Sequence, residues 1–194
     1  MLIRQERKED YKEVYELIRE AFASAEHADG NEQDLTEALR KGNAFIPELS
    51  LVAEIDGKLA GHILFTKANI GEKEVLVLAP LSVRPQYQRQ GVGTALMEEG
   101  HRIARDLGYG YVLVLGSEKY YPRAGYVPAE VFGISVPDGI PSANFMALKL
   151  REDAGPVKGG GNLPGRIWNV LAGRSLAFFA GPDCQVRNIY VVWL

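Results

Sequence analysis

Residues 75–97 constrain the fold more than any other stretch. An apolar run, Val75-Leu76-Val77-Leu78-Ala79-Pro80-Leu81-Ser82-Val83, leads into a glycine-bearing turn and then into a helical pattern. The run reads as a buried strand. After Gly91, apolar or small residues fall at Val92, Ala95, Leu96, Ile103, Ala104 and Leu107, the stripe of an amphipathic helix. Glu98, Glu99, Arg102 and Arg105 face elsewhere, and Gly108 is a natural stop. A strand feeding bare backbone N–H groups at a helix start makes an anion site, reinforced by the positive end of the helix dipole. Gln88 and Arg89 add side-chain donors and a fixed charge ahead of Gly91. The pattern points to a ligand that carries phosphates.

Two common phosphate loops are excluded by spacing. The turn reads QRQGVG, and a dinucleotide fingerprint would need a third glycine where the chain has Leu96. No Gly-Lys-Ser/Thr follows a four-residue spacer, so a Walker loop is absent too.

Length and composition narrow the class. The 194 residues suit one domain, and 46% apolar with 24% charged residues is a globular composition. Net charge is 22 minus 25, or −3, with no basic run of the kind that tracks nucleic acid. The single cysteine, Cys184, excludes an internal disulfide and a cysteine-based metal cluster. His27, His62 and His101 lack metal-ligand spacing, so no metal is expected. No charged-then-apolar leader opens the sequence and no apolar run reaches 18 residues, so a cytoplasmic, non-membrane protein is the expectation.

Along the chain, residues 2–6 read as a short strand, and Asp10 is placed to cap a helix from Tyr11 whose Val14, Tyr15, Ile18, Ala21 and Phe22 share a face. A polar stretch, 24–31, precedes a second short helix over 32–41. Strands over 51–55 and 59–67 join through Asp56-Gly57, a strong hairpin signal. With the strand from Val75 they read as an antiparallel meander. After the long helix come an apolar strand over 111–115, a short helix near 119–124, and strands over 131–136 and 143–150 joined around Pro137-Asp138-Gly139. Beyond Leu150 the character changes. A Gly/Pro-punctuated linker leads to apolar segments at 167–172, 176–180 and 189–194, which are expected to pack on the sheet, support a homodimer, or carry no function.

Gln88, Gly91 and Gly93, with SVRPQYQ ahead and TALM behind, resemble the pyrophosphate loop of the GNAT N-acetyltransferase superfamily. The order β-α-α-β-β-β-α-β-α-β-β extends that resemblance over residues 1–150. It implies an α+β fold with a mixed, mostly antiparallel sheet flanked by helices, whose fourth and fifth strands run parallel and splay apart. It also implies acetyl-CoA as co-substrate. Gln88, Arg89, Gln90, Gly91, Val92, Gly93 and Thr94 would hold the pyrophosphate, and backbone groups of Leu81, Ser82 and Val83 would pair with the pantetheine arm. The segment Tyr-x-Arg-x-Gly-Tyr at 121–126 looks like the family's Tyr-x-Lys/Arg-x-Gly-Phe element, which makes Tyr121 the candidate general acid toward the departing thiolate. The competing reading of Tyr121 is a core tyrosine. Tyr120 reads as a packing or substrate-facing neighbour.

The general base is left open among Glu54, His62 and Glu32. Alternation would put Val52, Glu54 and Asp56 on one face, where Glu54 reads first as a solvated strand residue. His62 reads as a structural imidazole or a functional one. The activity implied is transfer of an acetyl group to an amine, small-molecule or protein, by direct attack. A non-catalytic acyl-CoA sensor on the same fold is the alternative, and a nucleotide-dependent oxidoreductase is disfavoured by Leu96. The acceptor walls would come from 24–31, 45–48 and 127–142.

Overall fold

The computed structural model describes residues 1–23, 30–137 and 139–157. The apolar segments proposed at 167–172, 176–180 and 189–194 lie outside the described residues, as does most of the polar stretch 24–31. Within them, seven strands form one sheet in the order β1-β2-β3-β4-β5-β7-β6. The strands are β1 (Leu2–Gln5), β2 (Phe45–Ile55), β3 (Lys58–Ile70), β4 (Lys73–Val83), β5 (Tyr111–Leu115), β6 (Val127–Pro128) and β7 (Phe145–Lys149). Three helices, α1 (Tyr11–Phe22), α2 (Glu32–Arg40) and α3 (Val92–Asp106), complete the frame.

The meander forms as its turn chemistry dictates. Asp56 and Gly57 take φ of +50° and +75°, the positive values that a tight two-residue hairpin needs. β3 and β4 are long because both of their faces are covered. β4 then pairs with β5 in parallel, but only at Leu76↔Val112 and Val77↔Leu113. Beyond those rungs β4 continues to Val83 beside β3 alone. This is the expected parting of the fourth and fifth strands.

A bulge sits at the same point. Between the pairs Phe65↔Leu78 and Ile63↔Leu81, β4 advances three residues while β3 advances two. Ala79 and Pro80 are therefore accommodated opposite Leu64, as a bulge permits and as the missing N–H of proline requires. The extra residue changes which side chains face which way. Leu76 and Leu78 share one core with Leu81 and Val83, whereas Val75, Val77 and Ala79 belong to a second.

The faces of the sheet are covered by different helices. Gly61 and Gly100 let α3 lie close to β3: an added Cβ would stand 2.9 Å from both Leu96 Cδ1 and Val92 Cγ1 at Gly61, and 2.3 Å from Phe65 Cε2 at Gly100. Leu64 points the other way and packs with Leu35 and Leu39 of α2. By alternation His62 lies on the α2 face. Arg84, just past β4, reaches Leu59 O (3.1 Å), Glu13 (3.4 Å) and Glu20 (3.0 Å), fixing the strand's exit against α1.

Four local expectations are corrected. Residues 131–136 are not a strand: Ala129–Phe132 is a 3-10 turn, Gly133 takes φ +76°, and the partner of β7 is the two-residue β6. Burial still alternates here, with Ile134 buried and Val131 67% exposed, but no ladder pairs the segment. Leu107 lies past the last turn of α3 and is exposed, not on its buried stripe. Asp10 does not cap α1 through its side chain. Its carboxylate instead accepts from Arg4 and from Arg7 N–H (2.7 Å). The register between β2 and β3 shifts between Ala53 and Glu54, so Val52 is buried while Glu54 is half-buried. At the far end, the chain stays packed past Leu150, with Val157 3% exposed in the core it shares with Leu113 of β5 and Ala147 of β7.

Because Phe65 is fully buried and cannot swing away, Gly100→Ala should lower stability by roughly 1–3 kcal/mol, read from the midpoint of urea unfolding. An unchanged midpoint would mean that α3 is not held against β3 as described.

Candidate active site

The turn between β4 and α3 leaves its amides facing outward. Gly91 adopts φ +83° with open space around a would-be Cβ, so conformation, not crowding, demands glycine there. The first bond that closes α3 runs from Ala95 N–H to Gly91 O (3.0 Å), so the N–H groups of Val92, Gly93 and Thr94 precede the helical ladder. Gln88 Nε2 donates to Val83 O (3.1 Å) and Gln90 Nε2 to Gln86 O (2.8 Å). Each of these side chains thus spends one of its two amide N–H donors on shaping the loop. Arg89, exposed at φ +60°, makes no ion pair among the described residues and is the loop's available cation.

Several buried polar atoms on β3, β4 and the segment after β5 lack partners. Ser82 Oγ, Thr66 Oγ1, His62 Nδ1 and Tyr121 Oη are among those the described residues leave unpaired. An unmet buried polar atom costs about 1–3 kcal/mol. Of these, Ser82 lies on the β4 segment past its last rung with β5 and His62 directly across from it, where a polar ligand or water can complete them. A diphosphate at the loop, with an extended arm along Leu81, Ser82 and Val83, matches both the free amides and the unpaired edge of β4.

Tyr121 is fully buried, with its ring edge-on to Tyr120 (5.3 Å, 87°) and to Tyr126 (5.5 Å, 74°). Desolvation, followed by the neighbouring Tyr126 and Tyr120, holds its phenol well above its usual range, so it carries a proton throughout the neutral region. Tyr126 is anchored differently, through a 2.8 Å hydrogen bond with His101 Nε2 on α3. Burial, aided by Arg105, pushes His101 down to about 4, so that imidazole is neutral. Tyr121 is thus the one of the pair whose hydroxyl has no partner.

The three candidate bases separate clearly. Glu54 accepts from Arg4 Nε at 3.2 Å, and Arg4 also binds Asp10, so this carboxylate ties β1 to β2. Glu32 is buried in the first turn of α2, where its carbonyl accepts from the Thr36 hydroxyl (3.0 Å). His62 stands at the end of a buried array that the sequence did not reveal. Arg40 of α2 pairs with Glu6 (Nε to Oε2, 3.1 Å), Ser50 Oγ lies 2.6 Å from Glu6 Oε2, and His62 Nε2 lies 3.2 Å from Ser50 Oγ and 3.7 Å from Glu6 Oε1. Burial alone would raise the Glu6 carboxyl, but His62, Arg40 and Ser50 together bring it down to about 2. Among the described residues no group of three or more His, Cys, Asp or Glu is placed to hold a metal, and no helix is long and apolar enough to cross a membrane.

The profile of the Acetyltransferase (GNAT) family matches residues 11–126. The Escherichia coli K12 protein described as uncharacterized N-acetyltransferase YjhQ is 40% identical over 125 residues, covering 62% of this chain and 66% of that one, so the match spans just under two thirds of the relative's length. A GNAT family acetyltransferase from Brucella melitensis, solved in complex with acetyl-CoA, superimposes with a TM-score of 0.68 at 30% identity, over 82% of this chain and 92% of the other. The E. coli GNAT family N-acetyltransferase YhbS, solved in complex with CoA, gives 0.70 at 28% identity, over 78% and 82%.

Arg40 and Glu6 are 5% and 1% exposed, so Arg40→Met, which strands the carboxylate, should cost about 3–5 kcal/mol. Arg19→Met, at an exposed pair with Glu16, should stay within about 0.5 kcal/mol. Since Glu6 is depressed from 4.5 to about 2, its stabilisation is present above pH 4.5 and fades as pH falls toward 2. Urea midpoints measured across that window check both statements. Equal costs for the two arginine variants would contradict the buried pair.

Proposed function

The chain belongs to the GNAT acetyltransferase family, and on that footing we propose that it transfers the acetyl group of acetyl-CoA to a primary amine by direct attack on the thioester. The observation that carries this reading is the set of free amides at Val92, Gly93 and Thr94, opening beside a strand edge that β5 leaves unpaired. Acetyl-CoA supplies the thioester carbonyl as the electrophile. Arg89 and the first turn of α3 hold the diphosphate, by charge and by amide donation. Backbone groups of Leu81, Ser82 and Val83 orient the pantetheine arm, which places the sulfur on the Tyr121 side of the gap.

As the amine nitrogen forms its bond to the carbonyl carbon, the carbon–sulfur bond breaks and the sulfur becomes a thiolate. Tyr121, protonated and without another acceptor, donates its proton or a hydrogen bond there. No covalent enzyme intermediate is needed. A cytoplasmic site of action is part of this proposal, as is an acceptor held by 45–48 and 127–142.

Tyr121→Phe removes only an oxygen that bonds nothing in the described structure, so stability should hold or rise. Turnover should fall roughly 10²-fold, measured as free thiol released from acetyl-CoA across a panel of primary amines, with CoA affinity by calorimetry unchanged. Undiminished turnover would remove Tyr121 as the acid. Tight CoA binding with no amine-stimulated thiol release from the native chain would favour an acyl-CoA sensor.

A further inference from the structure

The buried array on the α2 face determines where the proton of His62 sits. The Ser50 hydroxyl has one hydrogen, and the 2.6 Å contact with Glu6 Oε2 commits it, because the Glu6 carboxylate can only accept. Ser50 Oγ can therefore only accept from His62 Nε2, 3.2 Å away. Glu6 Oε1, 3.7 Å from the same nitrogen, also favours a proton there. Neutral His62 is thus the Nε2–H tautomer, and its lone pair is on Nδ1, which is buried without a partner. Directly across the ladder is Ser82, whose Oγ is also buried and unpartnered, on the β4 segment that has left β5. Paired residues share a face of the sheet. The orphan nitrogen and the orphan hydroxyl therefore occur together beside the opened gap.

We infer that His62 Nδ1 is the proton acceptor for the attacking amine, and that Glu6, held by Arg40 and linked through Ser50, is the positioning residue that fixes its tautomer. This rests on the acetyl-transfer reading of the site. Before attack, the proton of the bound ammonium passes to Nδ1, directly or through Ser82 Oγ, and the imidazolium later releases it to solvent; the free amine then attacks, and the far more acidic proton of the adduct nitrogen leaves to solvent. Glu6 stabilises that imidazolium as a buried carboxylate does behind a catalytic histidine. The charged groups facing His62 are Glu6 and, behind it, Arg40; Ser50 and Ser82 flank it from β2 and β4.

Two readouts on the full chain test this. Two-bond 1H–15N correlation spectra should show His62 protonated at Nε2 and bare at Nδ1. Glu6→Gln, whose amide can donate to Ser50 and reverse the chain of bonds, should shift the population toward Nδ1–H. Ser50→Ala, which cuts the bridge and leaves Arg40 paired with Glu6, serves if Glu6→Gln does not fold. For the chemistry, benzylamine is cationic at neutral pH and must lose a proton, whereas aniline is already neutral. His62→Gln should lower kcat/KM for benzylamine by about 10²-fold and abolish the acidic limb of its pH profile. Aniline should fall by less than about threefold, on the same principle that no prior deprotonation is needed. An Nδ1–H tautomer in the native chain would overturn the inference, as would equal losses with both amines or no loss with either. If the native chain acetylates neither amine, the amine panel decides the transfer reading and the spectra alone decide the tautomer.

Discussion

The parting of β4 from β5 after two rungs is the constraint on which the rest of the site depends. Parallel strands normally stay paired through their length, because an unpaired buried ladder leaves N–H and C=O groups unmet. Here the bulge at Ala79 and Pro80 ends the pairing and moves Leu81 and Val83 onto the core face that Leu76 and Leu78 occupy earlier. The result is a β4 segment bound to β3 on one side and open on the other. It ends where Gln88 closes the Val83 carbonyl and Gly91 turns the chain into α3. One strand thus presents both an extended edge and the start of a helix.

Packing on the two faces divides the labour. On one face, Gly61 and Gly100 bring α3 against β3 and set the height of the amides at its start. On the other, Arg40 and Glu6 place a compensated ion pair next to His62, in a region otherwise closed by Leu35, Leu39 and Leu64. The tyrosine cluster after β5 is anchored through Tyr126 to His101. Tyr121 is left with a free hydroxyl between the rings of Tyr120 and Tyr126.

How much of this was legible in the chain depends on the range of each interaction. The turn into α3 was readable because it rests on local rules: an apolar run, a glycine at positive φ and a period-3.6 stripe. The β2–β3 hairpin was readable for the same reason at Asp56-Gly57. The segment 131–136 misled because Val131, Phe132 and Ile134 look strand-like, while Gly133 at φ +76° makes them a turn. Side-chain donors were visible in Gln88 and Gln90, but sequence does not say that each bonds backbone within five residues. The Arg40–Glu6 pair spans 34 positions and leaves no local signature, so the partners that give His62 its tautomer were invisible. Acidic residues near strand ends are common, and nothing in the sequence singles out Glu6.

Backbone amide hydrogen exchange with and without coenzyme A tests the central claim most directly. The account predicts new protection confined to the amides at the start of α3 and along the free edge of β4 from Leu81 to Val83, with the exposed edges at β1 and β6 unchanged. Protection appearing elsewhere, or none at those two sites under saturating coenzyme A, would contradict it.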